Sequence, residues 1–227
     1  MSFTLHQVVP WGRSYNEYVA MFALSNDELK KKILDCSGGP ASFNCVQTKR
    51  GGYVISADPI YHFSADEIKN RINDTYGEIL DQTRKNKNDF IWETISSIEE
   101  LGRVRMAAMN DFLSDYTIGK MSGRYLDAAL PALPFKDKEF TITLCSHFLF
   151  LYSEQLTEDF HYKSIKELCR VSSEVRIFPL LELGSRKSRH LEPILHKLNE
   201  EGIETSVERV PYELQKNGNE MLKISVT

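Results

Sequence analysis

Short apolar runs alternate with amphipathic stretches along this chain of 227 residues. The apolar runs are rich in aliphatic and aromatic residues and often end at Gly, Pro or Asp, which is typical of strands. They predict seven strands, within residues 32–36, 53–60, 124–130, 140–152, 174–181, 204–210 and 221–226. The amphipathic stretches predict a short helix after Pro40 and further helices over residues 64–80, 90–116, 157–173 and 188–202.

The order of these elements predicts the fold class. Strands that alternate with helices form a parallel sheet with right-handed crossovers. The last two strands are joined by a polar loop around residues 217–219 with no helix, so we expect them to pair antiparallel. The prediction is an α/β protein with a doubly wound, mostly parallel seven-stranded sheet and an antiparallel terminal strand pair. Because no linker divides the chain, residues 1–227 are predicted to form a single domain.

Composition and charge narrow the functional classes. A formal net charge of −4 argues against non-specific binding of nucleic acid, which depends on Lys and Arg. No window has the length and apolar character of a membrane span, and the N-terminal sequence lacks the pattern of a secretory signal. The four cysteines have no paired zinc spacing, so we predict buried reduced thiols, no metal site and a cytoplasmic location.

The turn after the first predicted strand carries the first candidate chemistry. Doubly wound sheets bind ligands beyond the carboxyl ends of their strands, and the first strand-to-helix turn is the usual point of approach. Here Asp35 is followed by Ser-Gly-Gly-Pro at residues 37–40, a poor match to the dinucleotide pattern G-x-G-x-x-G. A carboxylate there disfavours a pyrophosphate and favours a cation such as S-adenosylmethionine. Asp58 ends the second strand close to the offset of roughly 20 residues at which an acidic side chain binds ribose hydroxyls.

Over residues 30–227 the chain resembles the class I S-adenosylmethionine-dependent methyltransferases. The first motif of that family is an aliphatic run, an acidic residue and Gly-x-Gly-x-Gly, often with Pro before the third glycine. Residues 33–41 read Ile-Leu-Asp-Cys-Ser-Gly-Gly-Pro-Ala, with Ser and Ala in place of the outer glycines. Residues 129–140 are similar to the Leu-Pro-Phe stretch before the fourth strand of many small-molecule methyltransferases. Ala129 and Thr141 replace acidic residues of the family, which implies that backbone and apolar contacts hold the adenine.

The resemblance implies a cofactor site at the carboxyl ends of the first two strands. Its predicted members lie in the glycine turn, after the second strand, before the fourth strand or in the N-terminal segment: Asp35, Ser37, Gly38, Gly39, Asp58, Pro59, Leu130, Arg13 and Tyr18. The N-terminal segment, residues 1–29, is predicted to be helical and to cover the cofactor; the alternative is a helix attached only by its aromatic residues.

The residues after the fourth strand are the catalytic candidates. Ser146 and His147 lie where this fold places the reacting methyl group. His147 is the candidate general base for an acceptor that holds its proton tightly. The alternative is a half-buried histidine without a catalytic role.

The segment between Asp58 and Tyr125 is longer than one crossover needs, because a complete strand–helix–strand unit takes about 30 residues. The helix over residues 64–80 is predicted to make the crossover. The surplus, residues 84–122, is predicted to be a helical cap that covers the active site and shapes the acceptor pocket. The alternative is an extra helical layer that extends the core or forms a dimer.

Together these features predict a methyltransferase that uses S-adenosylmethionine and transfers its methyl group in line to a small-molecule acceptor. The Asn- or Asp-Pro-Pro-Tyr motif, with which some members hold an amino group, does not follow the fourth predicted strand. Two other classes are open: a non-catalytic binding or partner protein of the same fold, and a diverged NAD(P)-dependent oxidoreductase.

Overall fold

The computed structural model describes residues 9–226, so residues 1–8 of the predicted N-terminal segment lie outside the described part. The described residues form six α-helices: α1 (Tyr15–Met21), α2 (Phe43–Lys49), α3 (Ala65–Lys85), α4 (Ile98–Met121), α5 (Glu158–Val171) and α6 (Leu191–Glu200). They also form nine strands: β1 (Lys32–Cys36), β2 (Tyr53–Ala57), β3 (Tyr125–Leu126), β4 (Phe140–Ser146), β5 (Ser172–Phe178), β6 (Leu181–Glu182), β7 (Arg186–Lys187), β8 (Glu204–Arg209) and β9 (Glu220–Ser225).

Seven of these strands form one sheet in the order β3-β2-β1-β4-β5-β9-β8. β1 pairs in parallel with β2 and β4, and β3 and β5 extend the parallel part on either side. β9 is antiparallel to both of its neighbours, β5 and β8. The predicted fold class, a mostly parallel sheet with an antiparallel terminal pair, is therefore confirmed. The short β6–β7 hairpin was not predicted, because strands of two residues give no periodic signal.

Helices cover both faces of the sheet, which explains why its central strands β1 and β4 are buried at nearly every position. Neighbouring side chains of β1 point to opposite faces. Leu34 packs in a cluster with α5 and α6, whereas Ile33 packs in a cluster with α1 and α2. A third cluster joins α3, α4 and β3 around Tyr61 and Phe112. These three clusters fix the helices around the carboxyl edge of the sheet.

Local capping explains where some elements begin. The Ser64 hydroxyl accepts a hydrogen bond from the Glu67 amide, and the Glu67 side chain accepts one from the Ser64 amide, so α3 begins with a capping box. α4 begins only at Ile98, so the helix predicted from residue 90 is wrong over residues 90–97. The strand predicted over residues 124–130 is reduced to β3 at the sheet edge.

The crossover between β2 and β3 is made by the second of the two long helices in that connection, and not by the first as the sequence predicts. α4 leads into β3 and packs against α2 and β3, so α4 is the crossover helix. α3 packs against α4 and is the additional helix. The prediction that residues 84–122 form the insertion is therefore corrected, because the surplus chain consists of α3 and the connection that follows it. Both helices carry an apolar stripe, and only their packing distinguishes them.

The four cysteines are buried and free, which confirms the predicted thiols. Cys36 of β1 and Cys145 of β4 are neighbours in the sheet. Burial raises the pKa of Cys145 to about 12, so its thiol is protonated and unreactive at neutral pH. Within residues 9–226, no helix combines the length and apolar character that crossing a bilayer requires.

Candidate active site

A cavity of about 780 Å³ lies beyond the carboxyl ends of the parallel strands, where sheets of this kind bind ligands. Ligand pockets have volumes of roughly 300–1,000 Å³, so this cavity can hold a cofactor and part of a second molecule. Most of the predicted site residues line it: Arg13, Ser37, Gly38, Gly39, Asp58, Pro59, Leu130, Ser146 and His147. The fold thus brings the N-terminal segment, the glycine turn and the ends of β2 and β4 to one place.

The turn after β1 is held in a conformation that is open toward the cavity. Ser37 and Gly39 both have a φ of +59°, in the left-handed region. The Ser37 amide donates to the Ala57 carbonyl at 2.8 Å, and the Tyr61 hydroxyl donates to the Gly39 carbonyl at 2.7 Å. A Cβ added to Gly39 would meet no described atom within 4 Å. The turn is therefore fixed to the end of β2 and leaves space above Gly39.

Asp58 joins this turn to β2 and also lines the cavity. Its Oδ2 accepts a hydrogen bond of 2.9 Å from the Gly39 amide, and its Oδ1 accepts one of 2.8 Å from the Ile60 amide. Burial raises the pKa of Asp58 to about 6, although the two amides lower it, so the carboxylate is mostly ionised at pH 7. Each oxygen has a second lone pair, which leaves acceptor capacity for ligand hydroxyls.

Asp35 and Tyr18 lie below the turn, outside the lining of the cavity that the structure describes. The hydroxyls of Tyr18 and Ser56 donate to the two oxygens of Asp35, each at 3.0 Å. A Cβ added to Gly38 would lie 2.4 Å from Oδ1 of Asp35 and 2.6 Å from the Tyr18 hydroxyl. Burial raises the pKa of Asp35 to about 7. The polar atoms of these two residues support the turn from beneath, and their contact with the cofactor stays a prediction.

Ser146 and His147 end β4 at the cavity. His147 has a φ of +52°, and its amide donates to the Phe178 carbonyl of β5 at 2.6 Å. The Ser146 Oγ lies 2.9 Å from Nδ1 of His147. Burial, and then the charges of Arg13 and Arg105, hold the pKa of His147 well below its ordinary value of 6.5. The imidazole is therefore neutral at pH 7, and one of its ring nitrogens has a free lone pair.

The N-terminal segment lies against the glycine turn. The Ser42 amide donates to the Arg13 carbonyl at 3.0 Å. A Cβ added to Gly12 would lie 2.0 Å from the Pro40 carbonyl oxygen, so the two backbones are in direct contact. Residues from Val9 onward contribute to the cavity wall, whereas any cover provided by residues 1–8 lies outside the described part.

α1 is held in place by aromatic stacking and by a buried ion pair. The ring of Tyr18 stacks on Phe43 with the centroids 4.8 Å apart. Arg105 of α4 is fully buried, and its Nη1 donates to both oxygens of Glu17 at 2.5 Å. The Tyr212 hydroxyl donates to Oε1 of Glu17 at 2.9 Å. Burial alone would raise the pKa of Glu17, but Arg105 lowers it to about 2. Arg105 and Tyr212 also line the cavity.

Three chain segments meet over the far side of the cavity. Residues 89–91, before α4, and residues 214–216, between β8 and β9, are joined by two backbone hydrogen bonds of 2.7 and 2.9 Å. The side chain of Gln215 donates to the Ser185 hydroxyl of the β6–β7 turn at 3.0 Å. We call residues 89–91, residues 214–216 and the β6–β7 turn the roof. α3 forms the wall beside the roof.

The chain has a close sequence relative in an archaeon. No protein-family model matches the chain. It is 37% identical over 225 residues to the uncharacterized protein MJ0045 of Methanocaldococcus jannaschii, and the match covers 97% of each chain. This chain belongs to the same family as that archaeal protein.

Solved structures identify the fold. The methyltransferase domain of bacterial CtHen1-CN matches 93% of this chain and 97% of that domain, with a TM-score of 0.50 and 11% identity. Magnesium protoporphyrin IX methyltransferase (ChlM) from Synechocystis PCC 6803, solved with bound SAM, matches 94% of this chain and 78% of that protein, with a TM-score of 0.49 and 11% identity. The order of the sheet and the match to the CtHen1-CN domain show that the chain has the class I methyltransferase fold that its sequence predicts.

Sequence reasoning missed the contact between Arg105, Glu17 and Tyr212. Arg105 lies one helical turn from both Leu101 and Met109, so a basic residue interrupts the buried stripe of α4. That interruption is the signal that could have revealed a buried charge. Its two partners are distant in the chain, and no local spacing identifies them.

Proposed function

We propose that the protein is an S-adenosylmethionine-dependent methyltransferase that acts on a small molecule. The observation that carries the proposal is the Asp58 carboxylate, which two backbone amides fix at the cavity wall beside the open glycine turn. An acidic side chain with acceptor capacity at the end of the second strand suits the two hydroxyls of a ribose. The fold shared with the methyltransferase domain of CtHen1-CN supports this assignment by analogy.

The cavity offers a suitable surface to each part of the cofactor. Residues 37–39 would receive the methionine part above the open space at Gly39, and Asp58 would bind the ribose. Ala129 and Leu130 offer an apolar surface for the adenine. The cofactor is cationic near the turn, whereas the pyrophosphate of a nicotinamide dinucleotide would lie close to the carboxylates of Asp35 and Asp58. This charge arrangement supports the methyltransferase over the oxidoreductase.

The chemistry requires little more than orientation and a proton acceptor. When bound, the cofactor supplies a methyl group activated by its sulfonium. Holding two reactants in a near-attack geometry contributes about 7–11 kcal/mol in well-oriented systems. If His147 donates its Nδ1–H to the Ser146 Oγ, its Nε2 has the free lone pair and would accept the proton of the acceptor. Because His147 is neutral at pH 7, this base is available without a prior proton loss.

The size of the cavity supports a small acceptor. Its volume of about 780 Å³, bounded by the roof and α3, lies within the range of small-molecule pockets. The net charge of −4 also gives no support to a nucleic-acid substrate. Four free buried thiols support a cytoplasmic location.

Thermal melting with two ligands tests the proposal. A ligand at 100 times its dissociation constant adds about 2.7 kcal/mol to the free energy of unfolding. We expect S-adenosylhomocysteine to raise the melting temperature and NAD to leave it unchanged. Stabilisation by NAD alone would support the oxidoreductase, and no effect of either ligand would support a non-catalytic protein of this fold.

A further inference from the structure

Two arginines of the cavity have buried donor groups without an acceptor. The Nε atoms of Arg13 and Arg105 are buried, and neither has a hydrogen-bond partner among the described residues. Both side chains line the same cavity. Because buried donors in folded proteins are nearly always paired, the two unpaired N–H groups distinguish these side chains from the other polar groups of the site.

The two guanidinium groups differ in how their charge is balanced. Arg105 has a carboxylate partner, since Glu17 accepts both hydrogen bonds from its Nη1. No ion pair within residues 9–226 includes Arg13, whose Nη1 donates to the carbonyl of Trp11 in the same segment. Burial, and then the charge of Arg105, lower the pKa of Arg13 to about 10, so it stays protonated at pH 7. Arg13, Arg105 and Glu17 together therefore carry one net positive charge.

The Arg13 side chain lies near His147 at the end of β4, beside the proposed methyl-transfer centre. Arg13 and Arg105 are close enough to His147 to lower its pKa. The charge of Arg13 also favours a lower pKa for Tyr152 and Tyr212. The walls around them are apolar and aromatic: Phe148, Leu151, Tyr152, Phe178, Leu183 and Leu214. The surroundings thus combine one cation with a surface for an apolar body.

We propose that Arg13 binds a carboxylate of the methyl acceptor, so that the acceptor is a small carboxylic acid with an apolar body. The inference rests on the proposed function, and it assigns Arg13, predicted from the sequence as a cofactor ligand, to the acceptor. A single negative charge matches the net charge of Arg13, Arg105 and Glu17. The Glu17 carboxylate behind Arg105 disfavours a doubly charged group such as a phosphate.

Paired probes test this assignment. We would titrate benzoate and hexanoate, with benzamide and hexanamide as neutral counterparts, into the wild-type protein by ligand-observed NMR, with and without S-adenosylhomocysteine. A charge-assisted contact predicts that the acids bind at least about 10-fold more tightly than the amides. Arg13→Gln should abolish this preference, and Arg13→Lys should retain part of it. Arg71→Gln is the matched control, because Arg71 also lines the cavity but stacks on Phe63, and it should keep the preference.

Two results would overturn the inference. The first is equal binding of acids and amides by the wild-type protein, a comparison that holds even if a variant fails to fold. The second is an Arg13→Gln protein that loses affinity for S-adenosylhomocysteine but not for methylthioadenosine, which would assign Arg13 to the carboxylate of the cofactor. Failure of the proposed function gives a different result. In that case the wild-type protein does not bind S-adenosylhomocysteine, whereas the acids can still bind in the titrations without S-adenosylhomocysteine.

Discussion

The backbone amide of Gly39 donates a hydrogen bond of 2.9 Å to Oδ2 of Asp58. This contact joins the turn after β1 to the end of β2, and the Tyr61 hydroxyl reinforces it from the other side of Gly39. The conformation of the turn and the position of the carboxylate therefore depend on each other. A change at either residue should affect the proposed cofactor site as a whole.

Gly39→Val should give a folded protein that does not bind S-adenosylhomocysteine. The added side chain would point into open space, so it meets no protein atom but occupies the proposed cofactor site. The left-handed φ of +59° makes the substitution cost about 1–2 kcal/mol of stability. Gly38→Ala is the contrasting variant, because its Cβ would collide with Asp35 and should destabilise the fold. Denaturation and calorimetry measure both effects, and normal ligand binding by Gly39→Val would place the cofactor elsewhere.

The sheet could be predicted from the sequence because its signals are local. β1 and β4, at the centre of the sheet, are buried along nearly their whole length, and the helix-free connection before β9 indicates its reversed direction. The site required contacts between distant residues. Asp35 appears at the expected place in its motif, but only the position of Tyr18, from α1, shows that the carboxylate lies beneath the turn. Likewise, α3 and α4 both carry an apolar stripe, and only the packing of α4 against α2 identifies α4 as the crossover helix.

The free energy of unfolding should fall as the pH rises, because of the raised pKa of Asp35. Its pKa is about 7 in the folded protein against 3.8 for the ordinary group, so between these values the folded state binds more protons than the unfolded state. The stabilisation is complete below about pH 4 and is lost as the pH rises through about 7, with a slope of at most about 1.4 kcal/mol per pH unit. Urea denaturation of wild type and Asp35→Asn measures this difference. A difference that does not change with pH would contradict the assignment.

Glu17→Ala should be strongly destabilising. It leaves the fully buried Arg105 without its carboxylate partner, a change that costs about 3–5 kcal/mol in comparable buried pairs. The double variant Glu17→Ala with Arg105→Met removes both charges and should recover part of that loss. Chemical denaturation of the single and double variants gives the coupling energy. If the effects of the two sites are additive, the pair does not act as a unit.

His147 should remain neutral across the physiological range. Its pKa is well below 6.5, so its imidazole signals in NMR spectra should not titrate between about pH 6 and about pH 8. Arg13→Gln removes one of the charges that lower this pKa and should move the pKa upward. A wild-type signal that titrates near 6.5 would show that His147 is not in the environment described above.

Calorimetric titration of S-adenosylhomocysteine into wild type, Asp58→Ala and Asp127→Ala tests the central claim most directly. Asp127 is a neighbouring acidic residue that pairs with His62 on the surface, and it serves as the matched control. We expect the wild-type protein and Asp127→Ala to bind with similar affinity and Asp58→Ala to bind at least about 10-fold more weakly, because two hydrogen bonds from ribose hydroxyls to a charged group are lost. Equal affinity of Asp58→Ala and wild type would contradict a cofactor site at the end of β2.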